Sequence, residues 1–330
     1  MSKTIVVTGG CGYIGSHIVR AFRYADYYNR IIIIDSVQRN HTLGDADCFL
    51  KVDYASTQAL ELISLEQPDI IVHCAGTSLV EPSVYDPADY YENNVAKTIT
   101  LLNHIKNFTK KPSILFSSSA SVYGEPRELP ISESHPLNPI SPYGRTKLMI
   151  ETMLRDYSNA YDINSVCFRY FNAAGSWPVE HNLGEAAGGT HIIARALEAS
   201  INGRAFNVFG DDYNTPDGTC IRDYIHVLDL ATAHIKVLDY ITDNPGFHVF
   251  NLGTSLGISN KQIADYIGEK YGFKFLNYGI KRANDPAVLV ADSSKAKKEL
   301  DWNPENSDIN NIIDSAYQWH IKINGVDILV

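Results

Sequence analysis

Little in this chain would place it in an oxidising or membrane setting. Its 330 residues hold five cysteines, Cys11, Cys48, Cys74, Cys167 and Cys220, odd in number, scattered and without C-x-x-C spacing. They read as reduced, mostly buried thiols of a cytoplasmic protein rather than as a disulfide framework. No apolar stretch approaches the roughly 18 residues that would suggest a membrane helix. Met1-Ser2-Lys3 runs straight into a strand-like segment, so neither a signal peptide nor a membrane span is expected. Positive charge is in deficit: 28 Lys+Arg stand against 38 Asp+Glu, a net charge of −10. That argues against a broad nucleic-acid surface and leaves any anionic ligand to a few placed groups. The 11 histidines show no metal-ligand pattern, so no metal site is expected, and there is no internal repeat or low-complexity tract.

What is present is a chain that is 45% hydrophobic, enough for one large core or two modest ones. Strand-like runs at 4–8, 30–35, 48–53, 69–75, 113–118 and 164–170 alternate with helical patterns near 14–26, 56–65, 86–107 and 142–160. Such alternation predicts an α/β fold with a doubly wound parallel sheet of the Rossmann type. The second half is mixed, with strands expected at 206–209 and 247–252 and helices near 191–202, 228–241, 259–271 and 294–300. The expectation is a nucleotide-binding domain over 1–175, to which the chain returns around 224–252. A smaller mixed α/β substrate-binding lobe would lie mainly in 176–330. Pro/Gly-rich segments at 124–142, 175–190 and 210–219 suggest active-site or lid loops.

The first strand, Thr4-Ile5-Val6-Val7-Thr8, leads at once into Gly9-Gly10-Cys11-Gly12-Tyr13-Ile14-Gly15 and a helix. Glycines such as Gly9, Gly12 and Gly15 permit a tight turn and close backbone approach to a pyrophosphate. The pyrophosphate then sits on the helix N-terminus, where N–H groups and the dipole favour anions. Asp35 ends the second strand 20 residues after Gly15, where an acid bonds the adenosine ribose hydroxyls. Its charge would repel a 2′-phosphate, which favours NAD over NADP, with Arg39 nearby as a mild counter-argument.

Ser141-Pro142-Tyr143-Gly144-Arg145-Thr146-Lys147 puts a phenol and an ammonium four residues apart, on one helix face. The ammonium should lower the Tyr143 pKa from about 10, making it a base toward a sugar or alcohol hydroxyl. Upstream, Ile114-Leu115-Phe116 reads as a buried strand whose carboxyl end carries Ser117-Ser118-Ser119, where open α/β sheets place their ligands. Ser119 can donate a hydrogen bond to the oxygen that Tyr143 deprotonates. A serine cluster alone is usually a polar turn; beside Tyr143 and Lys147 it reads as catalytic.

These motifs resemble the extended short-chain dehydrogenase/reductase superfamily and, within it, the UDP-glucose (UDP-galactose) 4-epimerase family. The match runs from Thr8 almost to Trp302. It takes in Thr8-Gly9-Gly10-x-Gly12-Tyr13-Ile14-Gly15, Tyr90-Tyr91-Glu92-Asn93-Asn94-Val95, the block Ser117 to Gly124, Ser141-Pro142-Tyr143-Gly144, Arg169-Tyr170-Phe171-Asn172 and, most particular to that family, Asp217 to Val227. The resemblance implies Tyr143 as base, with Lys147 on the nicotinamide ribose and Ser119 at the sugar oxygen. It implies the backbone of Tyr13 and Ile14 at the pyrophosphate, Asp35 and Ser36 at the ribose, and Asp53 and Tyr54 at the adenine. Cys74, Ala75, Gly76, Asn93, Ser117 and Phe171 would line the cofactor. For a UDP-hexose it implies Asn172, His191, Ile192, Asn207, Val208, Phe209, Arg222, Arg282 and Asp285. Leu289 stands where known members carry tyrosine or cysteine, which leaves N-acetyl-sugar tolerance open. A homodimer through 86–107 and 142–160 is a further family expectation.

The reading is reversible C4 epimerisation of UDP-glucose and UDP-galactose through transient oxidation by NAD to a 4-keto sugar. Epimerases of other UDP-sugars (N-acetylhexosamine, pentose or uronate) remain open. A nucleotide-sugar dehydratase would need acidic residues after the strand-end serine, where Ala120 and Ser121 stand. A non-catalytic NAD-sensing protein would have no use for Tyr143 and Lys147.

Overall fold

The computed structural model describes residues 3–25, 30–39, 43–178, 183–185, 189, 191–281 and 285–325. Its large sheet joins β1 (Thr4–Thr8), β2 (Arg30–Asp35), β3 (Cys48–Lys51), β4 (Ile70–His73), β5 (Ser113–Ser119) and β6 (Ser165–Tyr170) with the late strand β10 (Phe247–Leu252). All are parallel, in the order β10-β6-β5-β4-β1-β2-β3. This is the Rossmann-type α/β fold. The strand order reverses between β1 and β4, and the crevice at the carboxyl ends there is where such sheets bind ligands.

Side chains alternate across the strands, so each strand feeds two cores. Ile5 and Val7 pack with Ile18 and Phe22 of helix α1 (Tyr13–Tyr24), and this core also takes in Leu230 and Val237 from the helix Val227–Asp243. Val6 faces the opposite way, toward Ile63 of α2 (Thr57–Glu66), Leu102 of α3 (Lys97–Ile105) and Leu154 of α4 (Pro142–Tyr161). Burial on both faces accounts for unbroken apolar runs such as Ile31-Ile32-Ile33-Ile34.

The helix expected over 86–107 is interrupted. Short helices Val80–Tyr85 and Pro87–Tyr90 are followed by a π-helical turn, Tyr91–Ala96, before α3 begins. Asp86 is the cause of the first break: its carboxylate caps the next turn through the Asp89 N–H, and Pro87 takes the N1 position.

The smaller lobe holds β8 (Phe206–Phe209) paired in parallel with β12 (Leu276–Gly279). A second sheet forms around β9 (Ile221–His226), joined by β7 (Asn172–Ala174), β11 (Gly257–Ser259) and β13 (Val288–Leu289). Its core gathers Ile193 and Leu197 of α5 (Ile192–Ile201), while helix α6 is the Val227–Asp243 helix already met against α1. Ile263 of α7 (Asn260–Tyr271) and Ile312 of α8 (Ile309–Ile323) complete the lobe core around Phe206 and Val208. Strands β7, β9, β11, β12 and β13 and helix α8 were absent from the sequence-based expectation. In β9 the reason is composition: Arg222 and Asp223 are buried there, so the strand carries no apolar alternation. None of the five cysteines is joined in a disulfide. Among the described residues no helix is long and apolar enough to cross a membrane, and no cluster of metal-ligating side chains occurs.

Candidate active site

The carboxyl end of β1 turns tightly. Gly9 has φ +72°, and a Cβ there would lie 2.6 Å from the backbone nitrogen of Ala75 after β4. A Cβ on Gly15 would lie 2.3 Å from the Gly9 carbonyl oxygen. Gly12 is the N-cap of α1 and, having no side chain, makes no cap hydrogen bond to the first-turn N–H groups. Asp35 accepts from the Cys11 N–H at 2.9 Å and from the Val37 N–H at 2.9 Å, beside exposed Ser36. An uncapped helix start, a cradle that only glycine fills and a strand-end carboxylate fit a dinucleotide such as NAD.

Other residues expected at the cofactor carry structural duties as well. Asp53 pairs with Lys97 at 2.6 Å. Tyr54 is buried and donates its hydroxyl to the Asn93 carbonyl at 2.6 Å. The Asn93 amide donates to Asp89 at 2.9 Å and to Thr77 at 3.1 Å. Cys74 lies against the Ser117 hydroxyl at 3.1 Å, and burial pushes its thiol up to about 11. The Tyr13 hydroxyl donates to the Gly175 carbonyl at 2.6 Å. Asn94, unassigned by sequence, is buried; its side chain accepts from the Thr77 N–H at 2.8 Å and donates to Thr146 at 3.0 Å. It thereby joins the loop after β4 to α4, and it occupies the space a Cβ on Gly76 would need, 2.7 Å away. Its signal lay in the Asn93-Asn94 pair of the quoted block.

Tyr143 and Lys147 stand in the first two turns of α4. Ser141 caps the helix through the Gly144 N–H at 3.1 Å, with Pro142 at its first position. Ser119 closes β5; its hydroxyl donates to the Ser121 hydroxyl at 3.2 Å, accepts from the Ser121 N–H at 3.1 Å and neighbours the Tyr143 phenol. Lys147 donates to the Ser117 carbonyl at 2.8 Å and lies 4.8 Å from the Phe116 ring centre and 5.7 Å from that of Tyr143. The structure corrects one expectation. Tyr143 is pushed up to about 12 by burial, with the Ser119 hydroxyl pulling the other way, and Lys147 is pushed down to about 8 by burial. Desolvation of both groups outweighs their attraction when the ammonium is spent on a carbonyl.

Below this constellation the Arg169 guanidinium grips Glu151 bidentately at 3.0 and 2.6 Å, with both side chains about 2% exposed. Ser118 donates to the same carboxylate at 2.5 Å. Glu151 lies one turn beyond Lys147 on α4, so the pair fastens that helix to the ends of β5 and β6. Sequence reading assigned it no role.

A cavity of about 1310 Å³ separates the sheet's carboxyl edge from the smaller lobe. Ala120, Ser121 and Ser141 line it, as do Asn172, His191, Ile192, Phe209, Arg222, Asp285 and Leu289. Asn207 and Val208 line an adjoining hollow with Phe209 and Asp285. Arg222 pairs with Asp285, not with its neighbour Asp223, whose carboxylate is held by Thr254, Ser255 and Ala291 N–H groups. Arg195 lies on both hollows with its guanidinium 5.5 Å from the Phe209 ring centre. It is a further cation that sequence reading missed, three residues after Ile192 on one helix face. Phe171 is buried between the Tyr123 and Leu289 side of the site. Arg282 lies outside the described residues.

Residues 5–253 match the model of the NAD dependent epimerase/dehydratase family. The chain is 40% identical to the UDP-glucose 4-epimerase of Streptococcus mutans serotype c over 324 residues, 96% of each chain. It superposes on the crystal structure of UDP-glucose 4-epimerase from Brucella ovis in complex with NAD with a TM-score of 0.89, at 39% identity over 96% of this chain and 98% of that one. The Bifidobacterium longum UDP-glucose 4-epimerase in complex with NAD+ and UDP gives a TM-score of 0.88 at 34% identity, covering 97% and 98%.

Proposed function

This chain belongs to the NAD dependent epimerase/dehydratase family, and from that membership we propose that it inverts C4 of a UDP-hexose, interconverting UDP-glucose and UDP-galactose. It is an isomerase with NAD as its cofactor. The observation that carries the reading is the placement of Ser119, Tyr143 and Lys147 together at the carboxyl end of β5, beside a cavity that Arg222 and Asp285 also line.

The first-turn amides of α1, with Asp35, Ser36, Asp53 and Asn93, would hold NAD; Cys74, Ala75, Gly76, Ser117 and Phe171 complete its walls. When bound, NAD supplies the hydride acceptor and donor for C4, so the sugar passes through a 4-keto stage with no net redox. Tyr143 exchanges the proton of the C4 oxygen while Ser119 holds that oxygen by a hydrogen bond. Lys147 supplies the positive charge that favours phenolate as the proton leaves. The burial of Tyr143 and Lys147 keeps that proton out of exchange with bulk water. Arg222, with Arg282 and Arg195, answers the diphosphate by charge-assisted donation. Asp285, Asn172, His191, Ile192 and the strand Asn207-Val208-Phe209 hold the rest of the UDP handle, whose binding energy retains the sugar while it turns. In this reading residues 1–175, with 224–252, carry the cofactor and 176–330 mainly the UDP-sugar.

Incubation with UDP-galactose, with products separated by chromatography, tests the reading. UDP-glucose is the expected product. A 4-keto-6-deoxy sugar would indicate a dehydratase, and no turnover with retained NAD would indicate a sensor.

We also infer a cytoplasmic homodimer through α3 and α4. Ile99 on α3 and Met149 on α4 expose 37% and 43% of their surface on the same side of the large sheet. Light scattering should give twice the chain mass, and Met149→Lys should give the monomer.

A further inference from the structure

Tyr213 is 7% exposed, yet its hydroxyl has no hydrogen-bond partner. A buried hydroxyl left unmet is unfavourable, and phenylalanine would fill the same space without that cost. The loop around it is nonetheless built to hold the ring. Gly210, at φ +84°, has no side chain where a Cβ would lie 2.3 Å from the Tyr213 ring. The Tyr213 N–H bonds the Gly218 carbonyl at 2.8 Å, and the Lys281 ammonium covers the ring face at 5.2 Å. Asp217 pins the far side through Thr219 at 2.8 Å and through Ser259.

The charged and polar groups acting on the phenol are Cys220, Asp285 and Arg222. Cys220 lies against the hydroxyl but out of hydrogen-bonding geometry. Asp285 is shared between the Arg222 guanidinium on one oxygen and the Cys220 thiol, at a long 3.8 Å, on the other. Arg222 and Asp285 line the large cavity; Tyr213 is not among its lining residues. An anionic ligand in that cavity competes with Asp285 for Arg222. Asp285, half-buried at the cavity wall, then loses its strong donor, and the thiol is a weak replacement.

We propose that Tyr213 is a positioning residue for UDP binding: its hydroxyl is held in reserve and donates to Asp285 when the diphosphate takes over Arg222. This rests on the reading that Arg222 and Asp285 hold the UDP moiety. Burial drives the phenol well above its ordinary pKa, so it remains a donor throughout the neutral range.

Calorimetric titration with UDP on the NAD-loaded enzyme tests this. Tyr213→Phe should raise the Kd by about tenfold, the scale of one hydrogen bond to a charged group. kcat at saturating UDP-galactose should be unchanged, and the Tm of the UDP-free protein unchanged or higher. In an Asp285→Asn background Tyr213→Phe should add less than about twofold, because the charged acceptor has gone. An unchanged Kd in Tyr213→Phe, or an equal loss with and without Asp285, overturns the proposal. Arg222→Gln reports separately on the underlying reading: if it leaves UDP affinity intact, that reading fails, whereas a loss in Arg222→Gln with none in Tyr213→Phe removes only the Tyr213 role.

Discussion

Gly144 approaches Ser121 so closely that a Cβ on it would lie 2.5 Å from the Ser121 carbonyl oxygen. The first turn of α4 therefore rests directly on the turn that follows β5. That contact sets Tyr143 beside the carboxyl end of β5, where Ser119 stands. In Ser141-Pro142-Tyr143-Gly144 the serine caps the helix, the proline starts it and the glycine lets it dock.

Gly144→Ala should accordingly push α4 away from Ser121. Overpacking of this kind costs about 1–3 kcal/mol, so urea unfolding should shift to lower midpoints. A displacement approaching 1 Å between reacting groups can cost about 10²-fold, and kcat should fall by at least about tenfold. Unchanged kcat with an unchanged unfolding midpoint would show that the helix yields there freely.

Tyr143→Phe should lower kcat by at least about 10²-fold, the lower range for a general acid–base group. UDP affinity should be nearly unchanged, since the phenol is assigned to the sugar and not to the diphosphate. Steady-state kinetics with UDP-galactose and titration with UDP separate the two. Near-normal kcat would remove the proton-transfer role.

Lys147 gives a pH signature. Its ordinary pKa of 10.5 falls to about 8 in the folded protein because burial penalises the ammonium. Between those values the unfolded chain binds more protons than the folded one, so this group makes stability rise with pH across that window. Its penalty is full below about pH 8. Lys147→Met should thus be inactive yet raise the Tm at pH 7, with the gain shrinking as pH approaches 10. A variant less stable than the parent at pH 7 would mean that the bond to the Ser117 carbonyl outweighs desolvation.

The Glu151–Arg169 pair behaves differently, because each charge has a buried partner. Arg169→Met leaves Glu151 uncompensated and should cost about 3–5 kcal/mol by denaturant unfolding. Adding Glu151→Leu should recover a good part of that loss, since no unpaired charge remains. Activity should stay low in both variants if the pair positions Ser118 and α4, and would return with stability in the double variant if it only fastens the core.

The central sheet was legible because its strands are buried on both faces and read as unbroken apolar runs, as in Ile31 to Ile34. Ser119, Tyr143 and Lys147, singled out from short motifs, are brought together at one end of that sheet. What the sequence hid was everything set by long-range burial. The direction of the Tyr143 shift depends on desolvation, which no local spacing encodes. Strand β9 was hidden because Arg222 and Asp223 find their partners about 63 and 31 residues away, at Asp285 and Thr254. Asn94 was hidden because its duty is to join two distant segments, Thr77 and Thr146.

Leu289 is the residue we propose to bear on which sugar is preferred. It pairs in register with Arg222 across β13 and β9, lines the large cavity and packs against the cluster of Tyr123 and Phe171. Both descriptions hold at once: one side of the residue belongs to the core and another faces the cavity. Leucine is shorter than tyrosine and larger than cysteine, so UDP-galactose should be the better substrate and UDP-N-acetylgalactosamine should turn over with lower kcat/KM. A steric difference in an apolar wall is worth about 1–3 kcal/mol, which is partial discrimination. Leu289→Tyr should reduce the N-acetyl activity selectively, because the added ring has only the cavity to grow into. Equal losses on both substrates, accompanied by a lower Tm, would instead mean that the ring has turned into the Phe171 cluster and that Leu289 sets packing rather than sugar choice.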